Sequence, residues 1–250
     1  MTSASAKTSR ERPFYSLHAD AYDLLIDDPV DSWVDAVHAR LSSAGRWPAS
    51  VLDAGCGTGR HAAALIARGH RVDLVDASAE LLSLAARRCP SARALLADLC
   101  TLQIPSAYDA VTCRGVLNDM ITDQDRMSAV QHLAESLRPG GLLFLDVREV
   151  QASRKRADGV TRTRRVDLGD GASLTFHARS TWRHGTLHVE ERYDLARPGA
   201  AGQRSSYAFA MRPWTESELC AMLHASGLSS IEISASVGRR TTDRLFVVAC

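Results

Sequence analysis

Short apolar runs alternate with stretches of helical period from residue 51 to residue 147, and that alternation limits the fold more than any other feature of the chain. Residues 51–53 read as a strand and 60–68 as a helix closed by Gly69. Residues 71–76 read as a strand, and 79–88 as a helix stopped before Pro90. Two more strands are predicted over 94–98 and 110–113. Thr122, with Asp125 three residues on, forms a capping box in which each side chain satisfies a free backbone amide. Met127, Val130, Ala134 and Leu137 give the helix that follows its apolar stripe, and Pro139-Gly140-Gly141 ends it. Residues 142–147 are apolar on both faces, as a central parallel strand must be. Repeated units of this length predict an α/β protein with a doubly wound parallel sheet.

The rhythm changes after residue 150. Leu174, Phe176, Ala178, Ser180 and Trp182 alternate with mostly polar residues. So do Leu187, Val189 and Tyr193, and then Tyr207, Phe209 and Met211, with His184-Gly185 and Pro198-Gly199 as turn signals. Period two with such turns predicts an antiparallel sheet of three or four strands. Thr215 and Glu218 then open a helix with Leu219, Met222 and Leu223 inward and Gly227 at its end, and 231–233 and 245–248 supply two last strands. At the start of the chain the first dozen residues are expected to be disordered, and 14–41 looks helical, with Trp33, Val34, Val37 and Leu41 on one face. The organisation expected is a helical cap over 1–45, an α/β domain over 46–150 and 213–250, and an antiparallel insertion over 151–212.

Composition narrows the class of function. A net charge of +1 gives no overall field for nucleic acid or a membrane surface. The basic run RKRADGVTRTRR carries no aromatic residue for base stacking, so it reads as a solvated strand edge rather than an RNA-binding face. Six cysteines are scattered without C-x-x-C spacing, which predicts reduced thiols and no metal site. The opening MTSASAKTSRERP has no apolar core of a secretory leader, and no apolar stretch reaches membrane-spanning length. The expectation is a soluble cytoplasmic protein.

The chemistry gathers at VLDAGCGTGR, residues 51–60, where a strand ends in an acid and runs into Gly55, Gly57 and Gly59. A loop this bare lets a ligand lie against backbone amides. The spacing is not the G-x-G-x-x-G of dinucleotide enzymes, and Asp53 would repel a pyrophosphate while attracting an ammonium or sulfonium. Asp76 ends the second predicted strand, where a carboxylate can accept both hydroxyls of a ribose. Asp98 ends the third, within reach of an adenine amino group. Each alone also reads as a cap or turn residue; together, at the carboxyl ends of successive strands, they mark where such sheets bind ligands.

These motifs resemble those of the class I S-adenosylmethionine-dependent methyltransferases. VLDAGCGTG looks like the first motif of that family, VDLVDAS the second, ALLADL the third and YDAVTCRGVLND the fourth, while LRPGGLLFLDV resembles the fifth strand. The resemblance covers about 48–148 and resumes over 213–250. It implies a seven-stranded Rossmann-like sheet of order 3-2-1-4-5-7-6 with the last strand antiparallel. FYSLHADAYDLL, with an insertion after the fifth strand, is similar to small-molecule N-methyltransferases, among them glycine N-methyltransferase and the amino-sugar enzymes of actinobacterial antibiotic pathways.

The resemblance implies S-adenosylmethionine as cofactor and S-adenosylhomocysteine as product. The cofactor would be held by Asp53, Ala54, Gly55, Cys56, Gly57, Asp76, Ala77, Asp98, Leu99, Cys113 and Arg114. Tyr15 and Tyr22 would close over its methionine half. Asn118 and Asp119 would face the methyl group and, with Tyr15, make up the catalytic set; Asp119 also reads as a helix-start acid. His18 is a further candidate, and also reads as a solvated surface residue. Glu191 could hold a substrate ammonium or lie at a sheet rim, and Arg212 could anchor the insertion or a substrate anion. Substitution of Asp76 by alanine is expected to weaken cofactor binding, with little effect on folding if the ribose is its main partner. The partner expected is a small-molecule acceptor, most favourably an amine, with no nucleic acid and no membrane, in a homodimer or larger assembly. An oxygen or carbon acceptor is the alternative reaction, and a non-catalytic nucleoside-binding protein the alternative class.

Overall fold

The computed structural model describes residues 10–250, so expectations for residues 1–9 lie outside the described residues. Its larger sheet has the order β10-β11-β5-β4-β1-β2-β3. The central strands are β1 (Ser50–Ala54), β2 (Arg71–Asp76), β3 (Ala94–Leu96), β4 (Tyr108–Arg114) and β5 (Leu137–Arg148). They pair in parallel, while β11 (Arg244–Ala249) runs antiparallel against β5 and β10 (Ile231–Ala235) antiparallel against β11. This is the predicted α/β sheet with the strand order implied by the resemblance.

Successive residues of β1 point to opposite faces, so the sheet has two cores. Val51 packs with Trp33, Val34, Val37 and Leu41 of one helix and Leu65 of another. Leu52 packs on the other face with Val130, Leu133, Leu219 and Leu223. Here α1 is Tyr22–Leu25, α2 Asp31–Ser43, α3 Arg60–Ala67, α4 Ala79–Arg88, α5 Asp123–Glu135, α6 Val150–Arg156 and α7 Glu216–Ala225. Half of each predicted capping box forms: Thr122 accepts from the Asp125 amide (3.0 Å) and Thr215 from the Glu218 amide (3.1 Å), while the Glu218 carboxylate pairs with Arg126 and Arg212 instead of reaching back.

Three boundaries differ from the sequence reading. The helix expected over 14–41 is broken, because Ile26 turns extended before Asp27-Asp28-Pro29, and the residue before a proline avoids helical geometry. Helix α5 ends at Glu135, and Pro139-Gly140-Gly141 lies inside β5, beside an irregularity in its pairing with β4. Strand β3 stops at Leu96, since Asp98 caps a short helical turn at Leu99–Thr101.

The insertion is a four-stranded antiparallel meander, β6 (Asp158–Gly169), β7 (Ala172–Arg183), β8 (Thr186–Ala196) and β9 (Gln203–Met211). The basic run splits between the end of α6 and the edge strand β6. The apolar face of the sheet is covered within the chain: Leu174, Tyr193 and Leu195 pack on Phe14, Ala21 and Leu25. The chain leaves and re-enters the main domain at one place. Trp214 donates its amide to Arg148 (2.8 Å), and Val150 donates to the Trp214 carbonyl (3.0 Å). Among the described residues no helix is long and apolar enough to cross a membrane.

Candidate functional site

A cavity of about 350 Å³ lies where the carboxyl ends of β1, β2 and β4 meet the insertion sheet and the N-terminal segment. Its floor is the glycine loop. Gly55 and Cys56 donate their amides to the Val75 carbonyl (2.7 and 3.0 Å), which folds the loop back on β2. Gly55 has φ +73°, and a Cβ there would stand 2.3 Å from a Val116 methyl, so no side chain fits. Gly57, at φ +56°, faces the Tyr22 ring instead.

Asp76 accepts the Gly57 amide on one carboxylate oxygen and the Ser78 amide on the other, both at 2.8 Å. Burial raises its carboxyl above the usual range against the pull of those amides. Asp53 accepts from the Thr112 hydroxyl (2.9 Å), and burial lifts it to about 6. Asp98 accepts from the Cys100 amide (3.0 Å) at the cavity edge. Two buried carboxyls raised by desolvation, above a floor without side chains, suit a ligand that brings positive charge and hydroxyl donors. This set of acceptors fits the nucleoside and sulfonium of S-adenosylmethionine.

Most of the predicted residues meet at this cavity: Tyr15, Tyr22, Asp53, Gly55, Cys56 and Gly57 from the first half of the set, and Asp76, Ala77, Asp98, Leu99, Arg114 and Asp119 from the second. Three do not line it. Ala54 and Cys113 are fully buried and point into the core packed on α5 and α7, because strand alternation turns them away. Asn118 is spent on structure: its side-chain oxygen accepts the Arg148 amide (2.7 Å), and its side-chain nitrogen donates to the Gly115 carbonyl (3.2 Å).

Asp119 sits in the turn Leu117–Asp119 and lines the cavity. Burial pushes its carboxyl up to about 6, opposed by the charges of Arg12, Arg148 and Arg244. Tyr15 takes a hydrogen bond from Arg12 (2.6 Å), and burial raises its phenol far out of reach of neutral pH. His18 packs at a tilt against the Tyr193 ring and lies 3.1 Å from the Ser205 hydroxyl, outside the cavity lining. Arg212 is tied to Asp123 (2.6 Å) and Glu218 (2.5 Å), also outside it. Glu191 does line the cavity, with its carboxylate bound by Arg12 and by the Tyr193 hydroxyl.

Sequence reasoning missed Arg12, Arg239 and Arg244. Arg12 falls in a segment expected to be disordered, yet it is inserted into the cavity wall. Arg239 grips Asp146 with two nitrogens (3.0 and 2.7 Å) and Asp28 with a third (2.8 Å), and Arg244 joins Asp146 at 2.9 Å. Burial beside Arg148 and Arg239 lowers Arg244 to about 9. One signal was available: Asp146 is a lone acid inside the apolar run LLFLDV, and a buried carboxylate needs a cation.

Residues 51–141 match the family model described as "Methyltransferase domain". The cypemycin N-terminal methyltransferase of a Streptomyces species is 32% identical over 161 residues, covering 62% of this chain and 64% of that protein. The chain spans only 55% and 57% of two other curated relatives that it matches. Among solved structures, CalS10, an amino pentose methyltransferase from Micromonospora echinaspora, is similar over 94% of this chain and 96% of that one, with a TM-score of 0.72 at 26% identity. The sugar N-methyltransferase KedS8 from a Streptoalloteichus species has a TM-score of 0.79 over 91% of this chain and 92% of its own, at 24% identity.

Proposed function

We propose that this chain, which carries an S-adenosylmethionine-dependent methyltransferase domain over residues 51–141, methylates a small-molecule acceptor at an amine nitrogen. The observation that carries the reading is one continuous cavity. Asp53, Gly57, Asp76 and Asp98 line one part of it, Phe176, Val189 and Met211 of the insertion line another, and Asp119 belongs to the same wall. S-adenosylmethionine, when bound, supplies an electrophilic methyl group on a sulfonium. Asp76 would accept from the ribose hydroxyls, Asp98 from the adenine amine, and Tyr15 and Tyr22 would cover the methionine half. The insertion wall would orient the acceptor, and positioning supplies most of the acceleration in such a displacement.

An amine with a pKa of about 10, as in lysine, must shed a proton before it reacts. Water or the buried Asp119 carboxylate could take it, so no single residue would be indispensable as a base for an amine. The Asp119 carboxyl at about 6 also suits a general base for a phenol or an activated carbon, which is the observation favouring the second reading. Calorimetric titration with S-adenosylmethionine tests the first step, and turnover over a panel of amines and phenols tests the second. Single-turnover rates of Asp119→Asn separate the acceptors: an amine predicts a modest loss, a phenol or carbon a loss of about 10²–10⁴-fold. Failure to bind S-adenosylmethionine would sink the reading altogether. The same proposal assigns residues 151–212 to acceptor recognition and places the reaction in cytoplasmic secondary metabolism. A homodimer or larger assembly is a separate proposal, tested by light scattering.

A further inference from the structure

The N-terminal segment delivers one guanidinium into the cavity wall, and the groups around it are those that recognise an organic cation. Arg12 Nε donates to one oxygen of Glu191 (2.8 Å) and Arg12 Nη2 to the other, while Nη1 donates to the Tyr15 hydroxyl (2.6 Å). The guanidinium carbon lies 4.3 Å from the Phe209 ring centre and 4.5 Å from that of Tyr15. Ring faces around a buried carboxylate attract cations, most strongly where water is excluded. Glu191 is 4% exposed and shares the apolar face of β8 with Val189 and Tyr193. A carboxylate in that position is costly without a positive partner. The insertion therefore builds a cation site, and the partner that fills it comes from outside the sheet.

Exchanging one cation for another there leaves the buried charge balance unchanged. Asp119 lies close enough that the Arg12 charge draws its carboxyl down and the Glu191 charge pushes it up, so a cation in this site would stand beside the acid that the reaction invokes. We propose that Tyr15, Phe209 and Glu191 form a cation subsite of the acceptor pocket, held by Arg12 in this state and taken by an alkylammonium or guanidinium group of the acceptor. The inference rests on the methyltransferase reading only in calling the ligand an acceptor. It narrows the acceptor class to molecules with a cationic nitrogen group.

The test uses the full chain with Arg12→Ala and two probes, methylguanidinium and tetramethylammonium, followed by calorimetry against potassium chloride at equal ionic strength. Both probes should bind the variant about tenfold or more tightly than the wild type, where the competent site is a minor fraction. Glu191→Gln added to Arg12→Ala should abolish that binding. In the wild type, methylguanidinium but not potassium should speed amide exchange over residues 13–25 as Arg12 is displaced; this measurement decides alone should Arg12→Ala not fold. A folded variant that binds the probes no better than wild type, or a wild-type segment insensitive to methylguanidinium, overturns the proposal and leaves Arg12 as a structural clasp. A parallel S-adenosylmethionine titration keeps the two readings apart, since its failure would sink the methyltransferase reading without altering the probe result.

Discussion

Each oxygen of Asp76 holds a backbone amide, one from the glycine loop and one from the residue that caps α4. Alanine at this position would strand two buried donors at about 1–3 kcal/mol each and also remove acceptors for the ribose. The expectation from the sequence that folding would be little affected is therefore revised. Asp76→Ala should lower the melting temperature and weaken S-adenosylmethionine binding together, while Asp76→Asn, which keeps one acceptor oxygen, should be milder in both; calorimetry and thermal denaturation check this. Asp119 predicts the opposite sign for stability. Its folded carboxyl, at about 6, is raised above the unfolded value of about 3.9. Below about pH 4 both states hold the proton and the stability is fully present; it is lost as pH rises through about 6, where the buried group ionises. Asp119→Asn should thus stabilise the fold at pH 7 by on the order of 1–3 kcal/mol, a gain that vanishes near pH 4 in denaturant titrations. Motif spacing located these acids because each ends a strand or opens a turn. It also put Ala54, Cys113 and Asn118 in the set, though they do not line the cavity, because which side of a strand or loop a residue faces depends on the surrounding packing.

At the scale of elements, the turn that carries Asp119 is fixed by a buried arginine on α5. Arg126 donates to the carbonyls of Met120 (3.1 Å), Arg212 and Pro213 (3.0 Å), lies 3.7 Å over the Trp214 ring, and pairs with Glu218. Trp214 in turn donates to the Leu117 carbonyl (3.3 Å). Arg126→Met should cost about 1–3 kcal/mol in urea denaturation, because it strands the carbonyls that Arg126 serves while Glu218 keeps Arg212 as a partner. It should also lower turnover of folded protein, since the turn loses its anchor. Element types were legible from periodicity alone, as the helix over 60–68 and the strands over 71–76 and 142–147 illustrate. Their ends were not. Leu137 reads equally well as the last residue of a helical stripe and as the first of β5, and only pairing with Tyr108 decides it.

Across the whole molecule, the N-terminal segment connects parts far apart in sequence. Arg12 reaches Glu191 across 179 residues, Ser78 donates to the Tyr15 carbonyl (2.6 Å), and Asp23 accepts from Thr58 and Arg88. No local pattern announces such contacts, which is why the segment was read as a helix and a loose leader. Because it also covers Leu174, Tyr193 and Leu195, the apolar face of the insertion is buried within the chain. Removal of residues 1–25 should expose that face and produce aggregation or new self-association, seen as a rise in mass by light scattering beside the intact protein.

The junction of the insertion has an evolutionary corollary. Glu149 bridges directly to Trp214, so the two ends of the excursion are pinned side by side whatever lies between them. Closing a longer or shorter segment across fixed ends changes the free energy only with the logarithm of its length. The main sheet can therefore host a different meander as an interchangeable cassette. A chimera that replaces residues 150–213 with the matching segment of a relative should still bind S-adenosylmethionine while changing which acceptors it takes. Selection could accordingly rewrite what such a chain recognises without disturbing the sheet that carries the glycine loop and Asp76.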